Sequence, residues 1–252
     1  MQRAAVILAA GKGTRMPSDI PKVMHKIGGR PMVLHVIDTI RRVCDGGIYI
    51  VVGYMAEQVV EAVEQDTSRP VDGAVEFVYQ HEQLGTGHAV LQCKNALKDF
   101  DGTVVVLNGD VPGLRAETIE EFAGYHDAEK AAATVLTAKV RNPKGYGRIV
   151  RGEDKALMKI VEEKDASEAE KKIDEINSGL FCFDKSELFG ALSSTDRDNA
   201  QNEYYLTDVI GVLSQQGKRV RAFCVDDARE VSGVNTVEEL EAVRRFLEGS
   251  SE

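Results

Sequence analysis

Residues 4–16 read AAVILAAGKGTRM, an apolar run (Ala4–Ala10) that breaks into a short turn holding Gly11, Lys12, Gly13 and Arg15. A stretch that is apolar throughout, rather than alternating, suits a strand buried on both faces, as in a parallel sheet. The two glycines permit positive φ and let backbone N–H groups approach an anion without a Cβ in the way. The turn is not a dinucleotide fingerprint, because the third glycine of G-x-G-x-x-G would fall at position 16, which is Met16. Nor is a Walker loop present, since no G-x-x-x-x-G-K-[ST] occurs anywhere in the chain. What remains is a short anion-binding loop with Lys12, Arg15 and, beyond Pro21, Lys22 in reach. A plain turn with solvated charges is the alternative, and three cations weigh against it.

Working outward, further buried-strand runs follow at Ile48–Val52, Val75–Tyr79 and Thr103–Leu107. Between them Pro31–Val43 places Met32, Val36, Ile37, Ile40 and Val43 on one helical face, with proline suited to the first turn. Met55–Gln65 and Gly87–Leu97 are weaker helical patterns. This β-α-β-α-β order predicts an α/β fold of Rossmann-like type, a mostly parallel sheet flanked by helices. In such sheets ligands lie beyond the carboxyl ends of the strands, here the loops after Ala9, Tyr79 and Leu107. The second half is less regular and predicts a smaller β-rich part. Strands are expected at Ala132–Ala138, Gly147–Val150, Ile176–Phe183 and Val220–Val225, and helices at Lys185–Leu192 and Thr207–Gln216. Asn142–Tyr146 and Gly152–Asp154 read as turns, the charge-dense Glu162–Lys172 as a mobile surface helix, and Val237–Leu247 as a last helix before a frayed end. The division expected is an α/β domain over 1–229 and a C-terminal helix and tail over 230–252.

The chain has 252 residues, 43% of them hydrophobic, enough for a full core. No run approaches the ~20 apolar residues of a membrane span. No secretion signal is visible at the N-terminus, so a cytoplasmic protein with no membrane partner is expected. Cys44, Cys93, Cys182 and Cys224 are scattered and form no CxxC pair, which suits core thiols in a reducing compartment. The net charge of −10 argues against a nucleic-acid partner. Yet residues 1–42 hold eight Lys/Arg against Asp19 and Asp38. A positive island in an acidic chain suits one small anionic ligand.

Three further stretches carry candidate chemistry. "VVVLNGD" sets Asp110 at the end of a buried strand, where a carboxylate can hold Mg²⁺ together with a substrate phosphate. An Asx turn ahead of Pro112 and Gly113 is the alternative. In "QHEQLGTGHAV" (Gln80–Val90), Gln80 or Gln83 and the Gly85–Gly87 backbone could pair with a base edge, or Thr86 could simply cap a helix. Glu162, Asn177, Asn235 and Thr236 are single polar residues whose value depends on convergence. His25, His35, His81, His88 and His126 show no ligand spacing, and no Ser-His-Asp set is present.

The ordered set "LAAGKGTRMPSDIPKVMHKIGGRPM", "QLGTGHA", "LNGDVP", "GYGRIV", "IVEEKDA", "INSGLFCF", "NEYYLTDVI" and "VSGVN" resembles bacterial N-acetylglucosamine-1-phosphate uridylyltransferases, also called UDP-N-acetylglucosamine pyrophosphorylases. The resemblance runs from about Val6 to Asn235. It implies a transferase that joins UTP and N-acetylglucosamine-1-phosphate into UDP-N-acetylglucosamine, a peptidoglycan precursor, with release of pyrophosphate. Residue by residue, it implies that Ala9, Ala10, Gly11 and Gly13, with the catalytic cations Arg15 and Lys22, hold the UTP phosphates. Gln80, Gly85 and Thr86 would read uracil. Gly147, Glu162, Asn177, Tyr205 and Thr207 would line the N-acetylglucosamine pocket, and Asp110 and Asn235 would hold Mg²⁺. A related enzyme using CTP or dTTP, or a silent nucleotide-sugar binder, shares the first motif. Two departures stand out: Gly113 is an extra glycine in the expected "GDVPL", and Asn108 stands where some members carry an aromatic residue. Many members continue into a β-helix of hexapeptide repeats that transfers acetyl groups and holds the trimer. This sequence shows no such repeats, so acetyl transfer is expected to be absent, trimerisation is not implied, and a monomer is compatible.

Overall fold

The computed structural model describes residues 1–13, 16, 18–66, 75–153 and 155–249. Its strands are β1 (Arg3–Ala9), β2 (Lys26–Ile27), β3 (Arg30–Pro31), β4 (Ile48–Val52), β5 (Val75–Tyr79), β6 (Thr103–Asn108), β7 (Ala133–Lys139), β8 (Arg148–Arg151), β9 (Leu157–Val161), β10 (Glu175–Asp184) and β11 (Val220–Cys224). The α-helices are α1 (Met32–Ile40), α2 (Ala56–Glu64), α3 (Thr86–Gln92), α4 (Ala116–Glu129), α5 (Lys185–Leu192), α6 (Asp208–Gln215) and α7 (Val237–Leu247).

The sheet runs β11-β7-β10-β6-β1-β4-β5. Strands β5, β4, β1 and β6 are mutually parallel, while β10 is antiparallel to both β6 and β7. The hairpin β8–β9 branches from β10 and forms the smaller β-rich part. Side chains alternate across the sheet as the pleat requires. Ala5, Ile7 and Ala9 of β1 join Val33, Ile37, Ile119 and Phe122 on one face. Ala4 and Val6 join Val90, Leu188 and Val209 on the other. Helices thus cover both faces, which is why the central strands read as unbroken apolar runs.

Registers bring the strand ends to one edge. Ala9 pairs Val52, Val52 pairs Tyr79, and Leu8 pairs Asn108. The loops after β1, β5 and β6 therefore open side by side. Strand β10 reaches the same edge from the opposite direction, with Phe181 opposite Val106. Its pairing with β7 shifts register between Asn177 and Phe181. Gly179, at φ +82, lies in that irregular stretch, where a Cβ would stand 2.3 Å from Asn108 Nδ2. No side chain but hydrogen fits there.

Three expectations change. Glu162–Lys172 is not a helix: only a 3₁₀ turn forms, at Glu170–Lys172. Ser167 bonds Glu170 through side chain and backbone, and Glu163 is drawn to Arg148, so local polar bonds replace the helical ladder. Strand β9 lay unseen because consecutive exposed residues, Met158 and Lys159, interrupt the buried Leu157 and Ile160 and break the alternation. Helix α4 was missed because its acids and Gly124 blur the apolar stripe of Ile119, Phe122 and Ala123. Of the four thiols expected in the core, Cys93 and Cys182 are buried, whereas Cys44 is partly buried and Cys224 is exposed. Among the described residues no helix is long and apolar enough to cross a membrane.

His126 on α4 is buried with Nδ1 2.8 Å from Thr134 Oγ1. Burial holds its pKa below the ordinary 6.5, against the pull of Asp127 and Asp184 and with a smaller push from Arg3. The unfolded chain therefore takes up the proton first on acidification. Stability from this site is present above pH 6.5 and is lost as pH falls below it. Urea unfolding of His126→Gln is expected to depend less steeply on pH between neutrality and pH 5 than that of the parent. Parallel curves would remove His126 from the acid sensitivity.

Candidate active site

The loops at the carboxyl edge enclose a cleft of about 760 Å³. The first loop contributes Ala9, Ala10, Gly11, Lys12 and Gly13. Gly13 has φ +70, and a Cβ on it would stand 2.6 Å from Cβ of Lys22 and 3.2 Å from its Cγ. The Lys22 stem therefore crosses directly over this glycine. Its ammonium contacts Asp110 Oδ2 and lies 3.1 Å from Asn235 Oδ1. Arg15 lies outside the described residues.

Asp110 follows β6 and is buried. Its backbone carbonyl accepts from the Val234 N–H at 3.0 Å, which brings the distant segment Gly233–Asn235 beside it. Asn235 precedes α7, whose capping box joins Thr236 and Glu239. The Asn235 N–H also donates to Glu239 Oε2 at 2.6 Å. Whether these two residues suit a divalent cation can be judged from their present partners. A cation, the Lys22 ammonium, already sits between their oxygens, and Asp110 Oδ1 is buried without a hydrogen-bond partner. One carboxylate and one amide oxygen fit a hard cation that completes its shell from substrate phosphate and water. Among the described residues no group of three or more His, Cys, Asp or Glu could hold a metal by protein ligands alone.

On the β5 side, Gln80 is buried at the cleft wall. Its Nε2 donates to the Gly85 carbonyl at 3.0 Å and lies 3.0 Å from His88 Nδ1. A carbonyl can only accept, so this bond orients the amide and leaves Oε1 as the group a ligand can meet. Gly85, at φ +106, has Tyr204 O 2.5 Å from where a Cβ would be. The Gly87 N–H donates to Tyr204 O at 2.8 Å, and Thr86 Oγ1 accepts from the Leu206 N–H at 3.1 Å. Thr86 thus fastens its loop to residues 204–206 and makes no side-chain cap on α3. Gln83 donates to the Gln80 carbonyl, also on the cleft wall.

Opposite, Gly147, Glu162, Asn177 and Thr207 meet. A Cβ on Gly147 would lie 3.4 Å from Glu162 Oε1 and 3.5 Å from Asn177 Cβ. Thr207 Oγ1 donates to Glu162 Oε1 at 3.0 Å. Burial pushes the Glu162 carboxyl above its ordinary range, against that hydrogen bond and with Asp208 and Asp165 adding to the push. Asn177 Oδ1 accepts from the Gly179 N–H. Tyr205 stands apart from this group. Its ring is buried away from the cleft lining and its hydroxyl donates to Asp165 at 3.3 Å. Cleft residues that sequence reading passed over include Tyr54, with Lys12 Nζ 5.4 Å from its ring centre, and Lys144, Ser178 and Gly179. Tyr54 follows Gly53 at the end of β4, a strand end the reading did not mark.

A model of the nucleotidyl transferase family matches residues 4–236. The chain belongs to the nucleotidyl transferase family. The bifunctional protein GlmU of Oceanobacillus iheyensis is 50% identical over 233 residues, covering 92% of this chain and 50% of that protein. That of Pelotomaculum thermopropionicum is 46% identical over 247 residues, 98% of this chain and 52% of that one. The chain spans about half the length of the curated relatives it matches. Among solved structures, a UDP-glucose pyrophosphorylase complexed with UDP-glucose superposes over the full length of both chains with a TM-score of 0.76 at 17% identity. A Bacillus anthracis structure described as a glucose-1-phosphate thymidylyltransferase gives 0.77 at 18%, covering 97% of this chain and 94% of that one. At those identities the likeness speaks for the nucleotidyl transferase fold alone.

Glu162→Gln keeps an acceptor for the Thr207 hydroxyl and removes a charge that burial penalises. It is expected to raise thermal stability at neutral pH, by at most about 1 kcal/mol. A lower melting temperature in calorimetry would mean that the charge itself is compensated within the fold.

Proposed function

We propose that this chain transfers the uridylyl group of UTP to N-acetylglucosamine-1-phosphate, giving UDP-N-acetylglucosamine and pyrophosphate. The observation that carries this reading is the convergence, in one cleft, of the glycine loop, Lys22, the Asp110–Asn235 pair, the Gln80–Gly85 wall and the Gly147–Glu162–Asn177–Thr207 group. The identity to bifunctional GlmU proteins supports the same choice of substrates.

The attacking group is a phosphate oxygen that is anionic at neutral pH, so no general base and no protein nucleophile are required. The work left to the protein is orientation for in-line attack and neutralisation of charge at the α-phosphate. N–H groups of Ala10–Gly13 receive the triphosphate, and Arg15 and Lys22 supply positive charge to it and to the leaving pyrophosphate. Asp110 and Asn235 hold Mg²⁺, which would withdraw charge from the attacking phosphate and the α-phosphate. Lys22 then exchanges its contact with Asp110 for the triphosphate. Gln80 Oε1 and the Gly85–Thr86 backbone meet the base. An acceptor at Oε1 pairs with the N3–H of uracil or thymine and opposes the N3 lone pair of cytosine, which favours UTP or dTTP over CTP. Gly147, Glu162, Asn177 and Thr207 receive the amino sugar, and Tyr205 stands behind them with its hydroxyl on Asp165. The working unit is taken as the α/β domain over 1–229 with the C-terminal helix and tail over 230–252, acting on soluble substrates in the cytoplasm, and a monomer is compatible with it.

Pyrophosphate release with Mg²⁺, measured across UTP, dTTP and CTP crossed with N-acetylglucosamine-1-phosphate and glucose-1-phosphate, tests the reading. UTP with N-acetylglucosamine-1-phosphate is expected to be fastest and CTP slowest. Release from another pair alone would overturn the substrates and keep the reaction type. Arg15→Ala, Lys22→Ala and Asp110→Ala are each expected to lose on the order of 10²–10³ in turnover while remaining folded. Near-parental turnover in purified Asp110→Ala would sink the assignment of roles.

A further inference from the structure

Gly113, three residues beyond Asp110, has a partner at the far end of the chain. It is buried, and a Cβ on it would stand 3.4 Å from Cδ1 and Cε1 of Phe246 and 3.3 Å from the Arg229 carbonyl oxygen. A Cβ alone would already touch both, so a longer side chain must push the ring or the backbone outward. Phe246 lies in the last turn of α7, and two guanidinium groups flank its ring, Arg229 at 5.0 Å and Arg115 at 5.7 Å. Both arginines are steadied by acids. Asp227 accepts from Arg229 at 2.9 and 2.7 Å, and Glu230 lies 3.7 Å from Arg115. Such a cation–aromatic stack adds to the apolar contact rather than replacing it.

The other end of α7 is fastened to the same loop. Val234 N–H donates to the Asp110 carbonyl, and Glu239 accepts from the N–H groups of Asn235 and Thr236. Between the two ends, Leu240 and Val243 pack with Val234, Met16, Ile27 and Met32. Helix α7 is thus a strap, tied ahead of Asn235 to Asp110 itself and at its tail to the third residue beyond Asp110. A helix of this length, roughly 16 Å at 1.5 Å per residue, carries a tilt of its last turn to its first. Asn235 sits immediately before that first turn.

We propose that Phe246, seated on Gly113 between Arg115 and Arg229, is a positioning residue that sets Asn235 opposite Asp110 and thereby tunes the cation site. The inference rests on the reading that Asp110 and Asn235 hold the divalent cation. Gly113, lacking a side chain, is the socket that lets the ring approach the loop.

The test is a Mn²⁺ titration of the whole chain with UTP present, following free Mn²⁺ by electron paramagnetic resonance, beside UTP binding measured without metal. Phe246→Ala is expected to weaken Mn²⁺ by about tenfold or more, as loss of a group that orients a ligand does, and to leave metal-free UTP binding unchanged. Phe246→Tyr keeps the ring and is expected to restore the parental Mn²⁺ affinity. Gly113→Leu, whose side chain would need the space the ring occupies, is expected to displace the ring and weaken Mn²⁺ in the same direction, which serves if Phe246→Ala does not fold. A Phe246→Ala protein that melts earlier but binds Mn²⁺ like the parent makes the residue merely structural and overturns the proposal. Equal loss of Mn²⁺ and metal-free UTP binding does the same. Asp110→Ala separates the two readings: if it binds Mn²⁺ as the parent does, the cation assignment fails and takes the proposal with it.

Discussion

The parallel registration of β1 between β4 and β6 is the constraint on which the rest depends. With β1 hydrogen-bonded on both sides and buried on both faces, its carboxyl end can only emerge at the edge where β4, β5 and β6 also end. Loops that are remote in sequence are forced into one place, and their backbone N–H groups must find partners there. A cleft at that edge is the geometric result of stopping four parallel strands at one level. Antiparallel β10 then closes the side that the parallel strands leave open. Its shift of register beyond Asn177 leaves Gly179 against Asn108 instead of continuing the ladder with β7.

Charge is arranged on this frame with economy. A chain of net −10 carries an excess of Lys and Arg in residues 1–42, and Lys12 and Lys22 of that stretch line the cleft. The buried Asp110 would be costly alone, and Lys22 answers it. The same ammonium that answers the acid stays within reach of the loop it crosses, so the acid and the glycine loop share one cation.

The parts of the fold legible in sequence were those whose pattern comes from two-sided burial. β1, β4 and β6 read almost to the residue, because full burial leaves no polar alternation to confuse the pattern; β5 was placed correctly but is not the buried strand expected, since it lies at the sheet edge with Glu76 and Tyr79 exposed. α4 and β9 were not legible, since each presents one face to solvent and mixes charges into the stripe. The charge-dense 162–172 misled for a related reason. Its acids and lysines have helical spacing, yet Glu163 answers the buried Arg148 and Glu170 answers Ser167, partners that spacing cannot reveal. At the site, single residues such as Asn235 and Glu162 carried little signal alone. Their meaning comes from contacts across more than 40 positions, between Glu162 and Thr207, and across more than 200, between Lys22 and Asn235. Tyr205 shows the reverse: its place in a motif suggested a ligand contact, but the backbone on either side of it is what supports the Gly85–Gly87 turn.

The glycines of the first loop also change meaning once the packing is known. Read as sequence, both serve a phosphate by removing Cβ atoms from its path. Gly11 keeps that reading, since nothing lies within 4 Å of where its Cβ would be. Gly13 does not, because a Cβ there would strike the Lys22 stem at 2.6 Å. Its absent side chain is what allows Lys22 to pass over the loop and reach Asp110. A larger residue at Gly13 would leave β1 intact but turn the lysine away from Asp110 and Asn235. Lys22 links the glycine turn to that pair only because a single methyl group is missing between them.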